Sequence, residues 1–527
     1  MKQFIHSYRE LDQAVFENCA IADWPEAKLL LWNNKLAQEI DLPEALRQQP
    51  KLQCDLLSGQ TSLANSSSYA LVYAGHQFGQ FAGRLGDGRA HMLGEWPTST
   101  GSLVDLQLKG SGPTPFSRGG DGFCALGPAL REYLMSEALH ALGVPSARSL
   151  GVVSTGATVE RDGPTGGAIV CRVAQSHLRV GTFQWFAATE QHPVLAKLTH
   201  YALKRHYPEQ AAGVKQQAGN SDSAAALALL DAVIDKQIQL LCHWMRIGFI
   251  HGVMNTDNCS IAGETIDFGP CAMLGSFNPS AVYSSIDRQG RYAFAQQPAM
   301  MNWNMARLAE SLLPLIDTNV EAALDLARPL IEGIPARFDS AYYTMLANKF
   351  GFSDISAGQQ NNPAELRSLI DTMLAAMAKH ELDYTLSFRQ LTKLLAGELD
   401  PKAQDQLEHY FSDSLHDWLG LHGSNLQECG ERQLARQQGS EPGKEEHKHD
   451  SAVALMRANN PELIPRNYFV EQAIEQTLNQ TTKTQGLNLI QDYLSAWQRP
   501  YDKQADQCEL LQSKADFDQH YRTFCGT

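Results

Sequence analysis

No stretch of the 527-residue sequence is both long and apolar enough to cross a bilayer as a helix, which takes about 18 or more consecutive apolar residues. None of its ten cysteines stands in a Cys-x-x-Cys pair, the spacing of a structural zinc site, and their single scattering fits a reducing compartment. Positive charge is in deficit: 43 Lys and Arg against 58 Asp and Glu give a formal charge of −15, which opposes general attraction to nucleic acid or acidic membrane surfaces. The opening residues, Met1 to Glu10, lack an apolar signal core and an Arg-rich transit pattern. A cytoplasmic protein is expected, with neither nucleic acid nor membrane as partner.

What is present is an ordinary globular composition, 43% hydrophobic and 19% charged, in a chain longer than one core usually supports. Residues 70–175 are rich in glycine and short β-type runs, whereas the chain beyond 220 carries helical periodicity. The firmest helix opens at Ser221-Asp222, places Leu230, Ile234, Ile238, Leu241 and Met245 on one face, and ends at Gly248. Another is announced by Gly127-Pro128 and stops at Gly143-Val144-Pro145. The expected fold is α+β: an extension over 1–60, a sheet-containing lobe over 61–180, a helical lobe over 181–427, a polar linker over 428–450 and a helical extension over 451–527.

Gly79 to Arg89 holds four glycines and two arginines ahead of a strand predicted over Ala90 to Trp96. Glycine lets backbone amides approach phosphate oxygens, although the Gly-Lys-Ser/Thr ending of a P-loop is missing and an ordinary turn explains such a run equally well. Val104 to Lys109 alternates as a strand, with Lys109 on the opposite parity from Leu106 and Leu108. In kinases a strand lysine pairs with a glutamate of the next helix, and here that helix offers both Glu132 and Glu137, between which periodicity does not choose. Arg172 and Arg179 are further candidates for phosphate contact, because guanidinium binds phosphate oxygens in pairs.

The segment His251 to Asn258, an expected short hairpin over Cys259 to Ile266, and Asp267-Phe268-Gly269 read as a kinase catalytic loop followed by a metal-binding turn. Asn258 and Asp267 supply the hard oxygen ligands that magnesium prefers; manganese accepts the same set. The position two residues after the histidine, where a kinase keeps its base, is Val253. The loop's only carboxylate is the displaced Asp257, so either catalysis is lost or the acceptor approaches with another geometry.

These blocks, with Tyr73 to Gly79, Leu85 to Arg89, Gln107 to Gly112, Arg131 to Leu134, Trp303-Asn304, Arg307 to Glu310 and Pro465 to Tyr468, resemble the selenoprotein O family of pseudokinase-like protein adenylyltransferases. The resemblance implies a bilobal kinase-like fold and transfer of AMP from ATP to Ser, Thr or Tyr hydroxyls of proteins. It implies ATP contacts from Gly86, Gly88, Arg89, Lys109, Asp121, Gly122, Arg172, Arg179 and Asp267, with Glu132 pairing Lys109. It assigns Mg2+ to Asn258 and Asp267 and proton acceptance to Asp257. The nucleotide would lie reversed relative to kinases, its γ-phosphate inward toward the arginines. UTP in place of ATP, conventional phosphotransfer, a non-catalytic ATP-binding role, and any redox role of Cys271 or Cys525 are left open by the sequence.

Overall fold

The structure, a computed structural model, describes residues 2–523 apart from 61, 62, 64, 162, 220, 354–361, 438–448 and 507. Cys525 and residues 438–448 of the expected linker therefore lie outside the described residues. The sheet region contains β1 (Phe16–Asn18), β2 (Lys28–Trp32), β3 (Tyr69–Leu71), β4 (Gly75–Gln77), β5 (Gln80–Ala82), β6 (Ala90–Pro97), β7 (Leu103–Lys109), β8 (Cys124–Ala125), β9 (Arg148–Glu160) and β10 (Pro164–Ala174). Eight of these form one sheet in the order β1-β3-β6-β7-β10-β9-β2, with β8 on β10 and every pairing antiparallel; β4 and β5 form a separate hairpin. Residues 1–60, read from the sequence as an extension, thus contribute β1 and β2 to the sheet.

The alternation in β7 and β10 determines what each face of the sheet does. Leu106, Leu108, Ile169, Cys171 and Val173 share one parity and join Leu57, Leu93 and Trp96 in an apolar layer. Burying a leucine of this kind contributes about 1.5–3 kcal/mol. The opposite parity carries Asp105, Gln107 and Lys109, and the register sets Gln107 opposite Arg172. Both faces are buried, Lys109 retaining only 6% of its exposure, so the charged face must find partners within the protein. The helix Leu126–Ala141 lies across β9 and β10 on that side, seated by Leu130, Leu134 and Ala138.

Most of the remaining chain is helical, giving an α+β protein compatible with a bilobal arrangement. The helix Asp222–Ile247 is capped by the Ser221 hydroxyl, which accepts from the Ala224 amide at 3.3 Å, and it stops at Gly248 in the left-handed region, φ 76°. It leads straight into β11 (Phe249–Ile250), which pairs with β12 (Ala272–Met273) and brackets the loop 251–271. Within that loop the expected hairpin over Cys259 to Ile266 does not form. Its ends pair elsewhere, Ser260 with Arg179 and Thr265 with Ser146, because both flanks lie against the sheet region. Residues 428–437 of the expected linker are helical, as part of Leu426–Gln437, which buries Cys429 and Gln433 at four-residue spacing. Among the described residues no helix is long and apolar enough to cross a membrane.

Candidate active site

A pocket of about 440 Å3 opens where β7, β10 and the glycine-rich turn before β6 meet the loop 251–271. Its lining brings together Gly86, Gly88, Arg89, Lys109, Asp121, Gly122, Arg172, Arg179, Asp257, Asn258 and Asp267. Glu132 is the one predicted residue that does not line it; it sits buried behind Lys109.

Lys109 is held between two carboxylates, its Nζ 2.7 Å from Glu132 Oε2 and 3.0 Å from Asp267 Oδ1. Arg172 closes the ring: its Nε donates to Glu132 Oε1, and its guanidinium lies 3.7 Å from Asp267 Oδ1. Burial pushes the Glu132 carboxyl up, but the Arg172 and Lys109 cations outweigh it and its pKa falls below the ordinary value. Asp267 is driven the same way and further, burial being overcome by Lys109, Arg172 and Arg89, so it stays ionised throughout the working pH range. The helix offers Glu137 elsewhere, to Arg148 Nη2 at 2.6 Å, which resolves the choice that periodicity left open.

Deeper in the pocket, Asp87 accepts from the Leu71 amide at 3.1 Å and from Gln107 Nε2 at 3.0 Å, and lies 3.6 Å from Arg179 Nη2. Arg179 donates from Nη1 to the Asp257 carbonyl at 3.2 Å and from Nε to the His177 carbonyl at 3.2 Å, with its Cζ 4.2 Å from the centre of the Tyr73 ring. Its Nη2 makes no hydrogen bond among the described residues. A guanidinium fixed in this way in the pocket wall suits an oxyanion.

Asp257 lies in the short turn Thr256–Asn258. Its Oδ2 accepts from Gln77 Nε2 at 3.2 Å, while Oδ1 is buried with no hydrogen-bond partner among the described residues. Burial raises the carboxyl to about 6, against the opposing pull of Gln77 and Arg179. The β4–β5 hairpin fixes this loop from outside. The His76 amide donates to Thr256 Oγ1 at 2.7 Å and the Phe78 amide to Asn255 Oδ1 at 3.0 Å. Asp121 forms a two-pronged pair with Arg161, at 2.9 and 3.0 Å.

Sequence reasoning missed Asp87, Gln107, His177, Gln77 and Arg161. Gln107 was within reach of it, since it shares the parity of Lys109; Gln77 and Arg161 meet the site only across long chain separations, with no local signal. The glycines have a steric reason as well. Gly86 adopts φ 67°, and a Cβ there would lie 2.2 Å from Phe116; at Gly88 it would lie 2.9 Å from the Phe116 carbonyl oxygen. Gly86→Ala is expected to displace the turn and weaken nucleotide binding by at least about tenfold, a loss of 1.4 kcal/mol, readable by calorimetry.

A family model described as protein adenylyltransferase SelO matches residues 1–495. The chain belongs to this family. Within the SelO family it is 40% identical over 527 residues, all of both chains, to a protein named protein nucleotidyltransferase YdiU from Teredinibacter turnerae. Relatives with the same name from Pseudoalteromonas translucida and Methylorubrum populi are each 42% identical, covering 97% and 99% of this chain and 98% and 99% of their own.

For this SelO-family member the donor set for a metal is small. Among the described residues no group of three or more His, Cys, Asp or Glu side chains converges as a metal cage. Asp267 meets Lys109 and Arg172 through Oδ1, and Asn258 donates from Nδ2 to the Val253 carbonyl at 3.2 Å, which leaves its amide oxygen as the acceptor. One carboxylate and one amide oxygen fit an ion such as Mg2+, which keeps several waters and takes its other ligands from substrate phosphates.

Proposed function

We propose that this chain is a kinase-like protein adenylyltransferase that transfers AMP from ATP to hydroxyl groups of acceptor proteins, with residues 61–180 and 181–427 as its two lobes. The observation that carries this reading is Asp257: a buried carboxylate with one unpartnered oxygen and a pKa raised to about 6, in the same pocket as Lys109, Arg172 and Arg179. That combination supplies a proton acceptor and a polyanion clamp together. Lys109 and the arginines hold the phosphates, with Arg179 toward the inner end. The acceptor's hydroxyl oxygen attacks the α-phosphorus as Asp257 takes its proton, and the bond from that phosphorus to the bridging oxygen breaks, releasing pyrophosphate. Asn258 and Asp267 would hold Mg2+ or Mn2+, whose charge offsets that of the phosphates. A reversed nucleotide, γ-phosphate inward, would set its α-phosphorus toward Asp257, whose Oδ1 has no hydrogen-bond partner among the described residues.

The test is parallel labelling with α- and γ-labelled ATP plus magnesium, on lysate proteins of the source cell, for the natural chain and Asp267→Ala. Metal-dependent label from the α-position alone is expected, and lost in the variant. Label from the γ-position alone would make the chain a phosphotransferase; ATP binding without either would make it a regulator.

A further inference from the structure

Parts of two stretches singled out in the sequence, His76 to Gly79 and Trp303 to Glu310, are not used by the chemistry above, yet the fold brings them together beside Asp257. The β4–β5 hairpin turns at Phe78 and Gly79, both at positive φ (50° and 84°), as a two-residue turn requires. Its inner side holds the catalytic loop through Gln77 and Phe78. Its outer side meets the Trp303 indole, whose ring centre is 5.1 Å from that of His76. Two guanidinium groups flank the indole, Arg291 at 4.9 Å and Arg307 at 5.1 Å. Arg307 is paired with Glu310. Arg291 forms no ion pair with a carboxylate among the described residues, and its Nε makes no hydrogen bond.

Arg291 is nevertheless held in place. A Cβ at Gly79 would sit 3.7 Å from Cζ, Nη1 and Nη2 alike, so the guanidinium lies flat over the turn with the indole on another side. It does not line the nucleotide pocket, whose own cations are Arg89, Lys109, Arg118, Arg161, Arg172 and Arg179. On the other side of His76, Phe81, its ring centre 5.0 Å from that of the histidine, is 47% exposed. A fixed cation that touches the Tyr292 side chain but has no carboxylate partner among the described residues loses little side-chain freedom on binding an anion. Because the chain as a whole carries −15, such a local positive point decides which acidic surfaces can approach.

We propose that this shelf seats the acceptor protein, an acidic residue near the modified hydroxyl docking on Arg291 while an apolar neighbour covers Phe81. The proposal rests on the adenylyltransferase reading and names its substrate class: hydroxyls in acidic segments. The test uses α-labelled ATP with magnesium and two random copolymers, poly(Glu,Tyr) and poly(Lys,Tyr), alongside a lysate. The natural chain is expected to label the glutamate copolymer at least about tenfold faster. Arg291→Glu reverses that preference, and Arg291→Gln, which preserves the packing, brings the two rates together; ATP affinity stays unchanged in both. Equal labelling of the copolymers by the natural chain, a preference that survives Arg291→Glu, or an unlabelled pair beside a labelled lysate overturns the shelf. An unlabelled lysate overturns the adenylyltransferase reading instead.

Discussion

Asp257→Asn is expected to cut AMP transfer by about a hundred- to ten-thousandfold, the range a positioned general base supplies, with nucleotide affinity nearly unchanged. Asparagine keeps the shape and the Gln77 contact but cannot accept the proton. The natural chain's rate against pH carries the same information. Asp257 must be ionised to act, and burial raises its pKa to about 6, so kcat rises with pH through about 6 and levels off above. The variant's residual rate lacks that acidic limb. Stability moves the other way: a carboxyl raised by burial costs the folded state most when ionised, so Asp257→Asn is no less stable than the natural chain at pH 7.5. Loss of rate without loss of thermal stability separates proton acceptance from a structural role, and an unshifted acidic limb in the variant would remove Asp257 from the chemistry.

Glu132→Ala attacks the other centre of the site. It leaves Lys109 and Arg172 buried with Asp267 as the carboxylate they share. Breaking such a buried network by removing one partner costs about 3–5 kcal/mol, and denaturant titration should show it. The cost comes from two cations left with one counter-charge, so Glu132→Ala/Lys109→Met loses less than the sum of the two single changes. Triphosphate offers negative charge to the same cations, so ATP stabilises Glu132→Ala by more than it stabilises the natural chain. Glu137→Ala provides the contrast: it removes one of the two carboxylates that hold Arg148, leaving Glu39, and destabilises, but leaves ATP affinity intact. Additive losses in the double variant would show that the ring of charges is not one unit.

Much of the site was legible because its residues obey local rules. Lys109 announced itself by parity at the end of an alternating strand, and Asn258 and Asp267 by their order after a long helix. The glycines at 86 and 88 stood out by density alone. The rest was not legible because it depends on approach between distant segments. Glu132 and Glu137 are equivalent by periodicity, and only the crossing of the Leu126–Ala141 helix over β9 and β10 turns one toward Lys109 and the other toward Arg148. Asp121, read as a phosphate neighbour, lines the pocket while tied to Arg161, a residue forty positions away with no motif of its own. The expected hairpin after the catalytic loop gave way to pairing with Arg179 and Ser146, since local turn propensity yields to an available strand partner.

By itself, then, the sequence determined the long helix ahead of the loop 251–271, the parity that sets Gln107 and Lys109 opposite Leu106 and Leu108, and the absence of a base two residues after His251. Those follow from period-two and period-3.6 geometry and from residue chemistry, which need no long-range contact. Only the tertiary structure decided which glutamate meets the lysine, how far burial raises Asp257, and that the β4–β5 hairpin and Trp303 form a single shelf with Arg291, which has no carboxylate partner among the described residues. Each of these is a matter of which distant groups share a low-dielectric space, and a charge's energy there is set by its neighbours in space and not along the chain.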